Sequence, residues 1–212
     1  MMRKVFWDDP YLAQLDTRIT DVNGSEITVA ETIFYAFSGG QESDAGTIGG
    51  FSVREARKDG WEIVYTLDQD HSLQVGDVVP MTIDWERRYH LMRLHFAAEI
   101  ILELCSRNLP GIEKIGAHIA ADKSRIDFLW GESIIPALPL LSQQAADLIE
   151  ANHPITSAFS DEVNQRRYWE IMGFARVACG GTHLRRTGEV GALRLRRNNI
   201  GKGKERVEIY LA

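Results

Sequence analysis

The sequence predicts an α+β protein, with a small N-terminal β-barrel carrying a glycine-rich motif over residues 1–84 and an α+β metal-binding domain over residues 85–212. Three observations predict it. Short β-branched or alternating segments, separated by turn formers, fill the first part. One long stretch of helical periodicity starts just after Asp84, and strand-like segments return after it. Two pairs of potential metal ligands, His95 with Glu99 and Cys179 with His183, stand far apart in the second part, each pair spaced i, i+4.

In order along the chain, residues 18–22, 26–29 and 61–66 alternate or are β-branched, with Asn23-Gly24 and Asp59-Gly60 as turn signals. Several short strands with tight turns argue for a barrel. Gly39, Gly40, Gly46, Gly49 and Gly50 crowd one stretch, where a positive φ or a close backbone approach is expected. Residues 73–77 resemble a turn leading into a strand. From Glu86 to Asn108, Leu91, Leu94, Ala98, Ile101, Leu102 and Cys105 recur near helical spacing until Pro110 ends the run. Strands are expected at 114–119 and 124–128, and a helix at 141–152. Further strands are expected at 155–159 and 174–178, with helical or irregular chain at 161–169 between them. Two last strands at 191–197 and 206–211 flank a turn at residues 199–203.

At 212 residues, 44% hydrophobic and 25% charged, the chain has globular composition and enough length for a core. Acidic residues occupy the place where a signal peptide would carry its apolar stretch, so a soluble, cytoplasmic protein without membrane partners is expected. Two cysteines are too few for a disulfide framework. The net charge of −6 is unevenly placed: residues 183–212 hold eight Lys or Arg against three Glu, an excess of five, which leaves the remainder at −11. A basic tail following a ligand motif suits either a polyanion or a solvated, aggregation-resistant strand pair. The segment from Phe34 to Gly46 lacks the G-x-x-x-x-G-K-[ST] order of a phosphate loop, which argues against nucleotide binding. A glycine hairpin of this kind can carry Gln41 into a neighbouring cavity.

Residues four apart share one helix face, so His95 and Glu99 project together. In Cys179-Gly-Gly-Thr-His183 two glycines let the backbone fold back and aim thiolate and imidazole at one point. Carboxylate, imidazole and thiolate are all zinc donors, and together they meet the usual count of four for one zinc per chain. His71, His90, His118 and His153 lack such company and read as structural or surface residues.

Four blocks carry a family resemblance: Thr32 to Gly46 with its Ser-Gly-Gly-Gln41, Asp84 to His95, Ser124-Arg-Ile-Asp-Phe128, and Cys179-Gly-Gly-Thr-His-Leu-Arg-Arg-Thr-Gly-Glu189. In this order they resemble the editing region of alanyl-tRNA synthetases, and the chain resembles the freestanding AlaX proteins of medium length over about residues 27–211. The resemblance implies zinc-dependent hydrolysis of misacylated tRNA(Ala), chiefly seryl-tRNA(Ala) and also glycyl-tRNA(Ala). It implies His95, Glu99, Cys179 and His183 as metal ligands and Gln41 as a substrate contact, with Asp127 near the site. It also suggests Arg185, Arg186, Arg196, Lys202 and Lys204 for the RNA. The family's helix usually reads H-x-x-x-H, and Glu99 departs from it. Three outcomes stay open: Glu99 is the fourth ligand, Glu99 is a general base beside three ligands, or the site is metal-free and the protein silent. A silent tRNA-binding homologue and a deacylase for another misacylated tRNA are the competing functions.

Overall fold

The computed structural model describes residues 2–68 and 70–212, and it has more strand than helix, as an α+β chain should. It divides into two compact units. The first comprises Met1–Ser38 and Glu42–Tyr89. Its strands are β1 (Arg3–Lys4), β2 (Gln14–Asn23), β3 (Glu26–Val29), β4 (Glu31–Thr32), β5 (Gly46–Ile48), β6 (Phe51–Asp59), β7 (Glu62–Leu67) and β8 (Val78–Ile83). Antiparallel pairings run β2-β3-β7-β6-β5-β8 and return from β8 to β2. Two seams of that ring are short: β3–β7 and β5–β6 hold by two registered pairs each.

Alternation explains which side of each strand is buried. In Glu62–Leu67 every second residue (Ile63, Tyr65, Leu67) is buried, and these pack with Ile19, Ile27, Val29, Ile48 and Met81 in the core of the unit. Inside it the Tyr65 hydroxyl meets Thr32 Oγ1 at 2.6 Å, so a buried polar pair is satisfied. Gly46 (φ +159°) is dictated by space, since a Cβ there would lie 2.0 Å from the Thr82 carbonyl oxygen. The strand Phe51–Asp59 has no sequence forecast, because its solvent face reads Ser-x-Arg-Glu-x-Arg-Lys and mimics a loop.

The second unit comprises Gly39–Gln41 and His90–Ala212. The helix α1 (Trp85–Asn108) gives its first five residues to the first unit and the rest to the second. Then follow β9 (Glu113–Ile119), β10 (Ser124–Leu129), α2 (Leu138–Glu150), β11 (Thr156–Asp161), β12 (Arg166–Ile171), β13 (Ala175–Ala178), β14 (Leu193–Asn199) and β15 (Lys204–Leu211). One antiparallel sheet has the order β14-β15-β10-β9 and a smaller one β11-β12-β13. The forecast of helical or irregular chain at 161–169 is corrected at its end: residues 166–171 form the central strand of the smaller sheet, alternating buried Arg167, Trp169 and Ile171 with outward residues. Two adjacent arginines obscure that period. Gly40 (φ +89°) lies so close to β9 that a Cβ would sit 2.6 Å from the Ala117 carbonyl oxygen, and the Ile119 N–H donates to the Gly40 carbonyl at 2.8 Å. This contact seats Gln41 beside β9.

Candidate metal centre

His95 lies mid-helix on α1 with Glu99 one turn on, as the i, i+4 spacing requires. Cys179 follows β13 directly, and its N–H donates to the Arg167 carbonyl at 2.9 Å, so pairing with β12 fixes where the thiol starts. Gly180 and Gly181 then turn the chain back to bring His183 to the same point. His95 Nε2 and His183 Nε2 each lie 3.3 Å from Cys179 Sγ, and Glu99 Oε1 lies 3.3 Å from His95 Nε2. One donor atom from each of His95, Cys179 and His183 lies within 4.8 Å of the others. The imidazoles meet edge to face at 5.3 Å.

These spacings test the fit to zinc. Zinc–nitrogen and zinc–oxygen bonds of about 2.0–2.2 Å and a zinc–sulfur bond of about 2.3 Å put tetrahedral donors roughly 3.3–3.6 Å apart, which the three contacts match. The donor chemistry also matches, with soft thiolate, borderline imidazole and hard carboxylate converging in a buried place. His183 Nδ1 meets Ser157 Oγ at 2.9 Å, which leaves its Nε2 facing Cys179. A carbonyl or hydroxyl partner at the remote nitrogen is the usual way a ligating histidine is oriented.

Electrostatics in the cluster are strongly coupled. Burial alone would disfavour the His95 imidazolium, but the facing Cys179 thiolate and the Glu99 carboxylate outweigh it and lift its pKa to about 10. Burial likewise opposes ionisation of Glu99, yet the hydrogen bond and charge of His95 hold its pKa down at about 2. His183 is pushed down to about 3, first by burial and then by the positive charge on His95. The cluster thus keeps Glu99 anionic and His183 neutral, while His95 holds a proton that a bound cation would have to displace.

Gly181 sets how closely the hook approaches the helix: a Cβ there would lie 2.3 Å from His95 Cε1 and 2.9 Å from Nε2. Gln41 is fully buried, and its Nε2 donates to Thr182 Oγ1 at 2.9 Å. Gln41 therefore braces the hook one residue before His183. Asp127 sits on β10, where Arg206 Nε donates to Oδ1 at 2.6 Å and Nη2 to Oδ2 at 3.0 Å, while Arg125 holds Oδ2 as well. Burial would raise its pKa, but these two arginines lower it. Among the described residues, the carboxylate contacts of Asp127 are with arginines, and none joins it to the His–Cys cluster.

The five expected RNA-facing residues are all exposed. The backbone N–H groups of Arg185 and Arg186 each donate to Glu189 Oε1 at 3.0 Å, fixing the chain just beyond the hook. Arg196 is on β14 opposite Glu208, Lys202 is in the following turn, and Lys204 opens β15. Arg93 comes two residues before His95, hence on a different face of the helix. Its Nε donates to the Val190 carbonyl at 3.0 Å and so braces the chain beyond the hook. Ser157 and Thr182 carry no forecast role. Thr182 stands inside the ligand motif, whereas a lone serine in a strand offers no sequence signal.

A family model described as the Threonyl and Alanyl tRNA synthetase second additional domain matches residues 170–208, a span that holds both Cys179 and His183. The alanyl-tRNA editing protein AlaX-M of Pyrococcus horikoshii is 30% identical over an alignment taking in 100% of this chain and 98% of that protein. AlaX-M of Methanosarcina acetivorans is also 30% identical, with 100% and 99% covered. An alanine–tRNA ligase of Ignicoccus hospitalis is 32% identical over 97% of this chain but only 25% of its own length. No helix among the described residues is long and apolar enough to cross a membrane.

Proposed function

Because the chain belongs to the AlaX family of alanyl-tRNA editing proteins, we propose that it hydrolyses tRNA(Ala) carrying the wrong amino acid, chiefly seryl-tRNA(Ala) and also glycyl-tRNA(Ala). The site is a zinc centre held by His95, Glu99, Cys179 and His183. The observation that carries this reading is the convergence of the helix pair and the hook pair at 3.3 Å contacts. Glu99 is proposed as the fourth ligand from its 3.3 Å approach to His95 Nε2, while the donor atoms that lie within 4.8 Å of one another are those of His95, Cys179 and His183.

Such an enzyme answers a physical need. A synthetase pocket shaped for a methyl group rejects an added hydroxyl poorly, so a second, hydrolytic site is required. Zinc held by these residues would supply Lewis-acid chemistry to the ester or to the attacking water, which requires a coordination position beyond the four protein ligands. The residues of the chain do the rest. Ser157 holds His183 in one tautomer, and Gln41, held by its hydrogen bond to Thr182, is the polar side chain that contacts the aminoacyl group. In the reaction, water oxygen adds to the ester carbon and the bond to the terminal ribose oxygen breaks. That oxygen leaves with a proton, giving free amino acid and tRNA. Arg185, Arg186, Arg196, Lys202 and Lys204 hold backbone phosphates, while Asp127 keeps Arg125 and Arg206 in place. The reaction belongs in the cytoplasm, where tRNA is charged.

The test is release of serine from seryl-tRNA(Ala) by purified zinc-loaded protein. Release that disappears in Cys179→Ala is the expected outcome. No release by the wild type supports a silent homologue instead, and equal hydrolysis across a panel of charged tRNAs rejects tRNA(Ala) specificity.

A further inference from the structure

Strand pairing in the second unit puts together cations that are far apart in sequence. On the outward face of the four-stranded sheet, Arg196 stands opposite Glu208 and Glu208 opposite Arg125. In the next rows Arg206 stands opposite Asp127, and Arg194 opposite Tyr210. Lys123, in the turn before β10, donates to Glu208 Oε1 at 2.9 Å. The opposite face buries Ile126, Phe128, Val207 and Ile209, with the Arg197–Glu205 ion pair toward one end. Six cations (Lys123, Arg125, Arg194, Arg196, Lys204, Arg206) thus share one face with three carboxylates, Glu113, Asp127 and Glu208, in a chain whose net charge is −6. This local reversal of sign is not a property of the basic tail alone, because Lys123 and Arg125 come from outside it.

The cations on this face are also held in place. Arg194 lies over the Tyr210 ring at 4.5 Å and Lys123 at 5.8 Å, while the Tyr210 hydroxyl donates to Glu208 Oε2 at 3.1 Å. Stacking on a tyrosine that is itself anchored reduces the side-chain entropy lost when a polyanion binds. Arg194 and Arg196 are two residues apart on one strand, about 6.8 Å along it, similar to the step between successive phosphates of one nucleic-acid strand. A twisted sheet with a regular lattice of cations suits the backbone of a double-stranded RNA stem, which is read by shape and charge.

We propose that this sheet face, centred on Tyr210 and including Lys123, Arg125 and Arg194, docks the phosphate backbone of the tRNA stem. The proposal rests on the reading of the chain as a tRNA-editing enzyme. It extends the phosphate-holding surface of that reading from Arg196 to Lys123, Arg125 and Arg194, and predicts a share of binding independent of sequence and of the aminoacyl group.

The test is binding of uncharged tRNA(Ala) to the full-length protein over a series of salt concentrations, for wild type, Arg194→Gln and the Arg194→Gln/Lys123→Gln double variant. Arg166→Gln, an exposed charge on β12, serves as control. Each lost phosphate contact removes about one from the slope of log K against log salt. The double variant is therefore expected to lose a slope of about two and to bind about 10-fold or more weakly, with Arg194→Gln about halfway and Arg166→Gln like wild type. In serine release from seryl-tRNA(Ala), the loss should fall on KM rather than on kcat. Equal losses in the control and the double variant, or an unchanged slope, overturn the docking surface. Displacement of tRNA from this face by polyglutamate as effectively as by an RNA duplex of equal charge overturns the choice of partner. Wild-type protein that binds no tRNA at all sinks the editing reading itself.

Discussion

Replacing Gly181 with alanine tests whether the hook and the helix must touch. The added methyl would start 2.3 Å from His95 Cε1, 2.9 Å from Nε2 and 3.0 Å from Nδ1. Carbon contacts reach their optimum at about 3.5–4.0 Å, so the ring or the hook must retreat by more than about 1 Å. His95 has little room to do so, because it is almost fully buried and its neighbours Phe96 and Ala97 are fully buried. Metal ligands tolerate displacements of only about 0.2 Å. The cost of such overpacking is about 1–3 kcal/mol, which corresponds to about 5- to 150-fold in zinc affinity. Competition with a chromophoric chelator measures that affinity, and thermal unfolding of the metal-free forms measures any separate loss of stability. An alanine variant that folds and binds zinc as tightly as the wild type refutes the geometry.

Three further expectations concern other parts of the molecule. Ser157→Ala releases the His183 ring and should weaken zinc binding about 10- to 100-fold, while Ser157→Thr, which keeps the hydroxyl, restores it; equal affinities in all three would show the 2.9 Å contact to be incidental. The Arg88–Asp44 pair in the first unit is fully buried, with Arg88 Nη2 also donating to the Ile33 carbonyl at 2.6 Å and Nη1 to the Pro10 carbonyl at 2.9 Å. Arg88→Met should therefore destabilise by about 3–5 kcal/mol, read as a fall in the denaturation midpoint, whereas breaking the exposed Arg3–Glu31 pair should leave the midpoint nearly unchanged. Lys4 is held down at about 8, first by burial and then by the charge of Lys58, against an ordinary lysine value of 10.5. The unfolded chain binds more protons between those values, so stability rises with pH through that window. Lys4→Met should accordingly stabilise below pH 8 and lose its advantage by about pH 10.5; a gain independent of pH would assign the effect to packing.

The pairing of His95 with Glu99 and of Cys179 with His183 is legible in the sequence because each is a local pattern. His95 and Glu99 share a helix face by period alone, and the two glycines of the hook announce a reversal. The long helix and the final strand pair are readable for the same reason, since their apolar periods run uninterrupted. What the sequence hides depends on contacts between distant segments. Strand register decides that Lys123 and Arg125 join Arg194 and Arg196 on one face, and nothing in the order of residues encodes it. The strand at residues 166–171 escapes a reading by period because Arg167 is a cation facing inward, laid over Phe159 at 4.6 Å. Gln41 stands out as a polar residue carried by a glycine turn. Its partner, Thr182, lies 141 residues away and emerges only from the fold.

The most direct measurement is a titration of metal-free protein with zinc while serine release from seryl-tRNA(Ala) is followed. Activity should climb linearly and level off at one zinc per chain, with no such rise in Cys179→Ala. Full activity in metal-free protein, or a plateau reached without stoichiometric zinc, contradicts the proposed zinc centre.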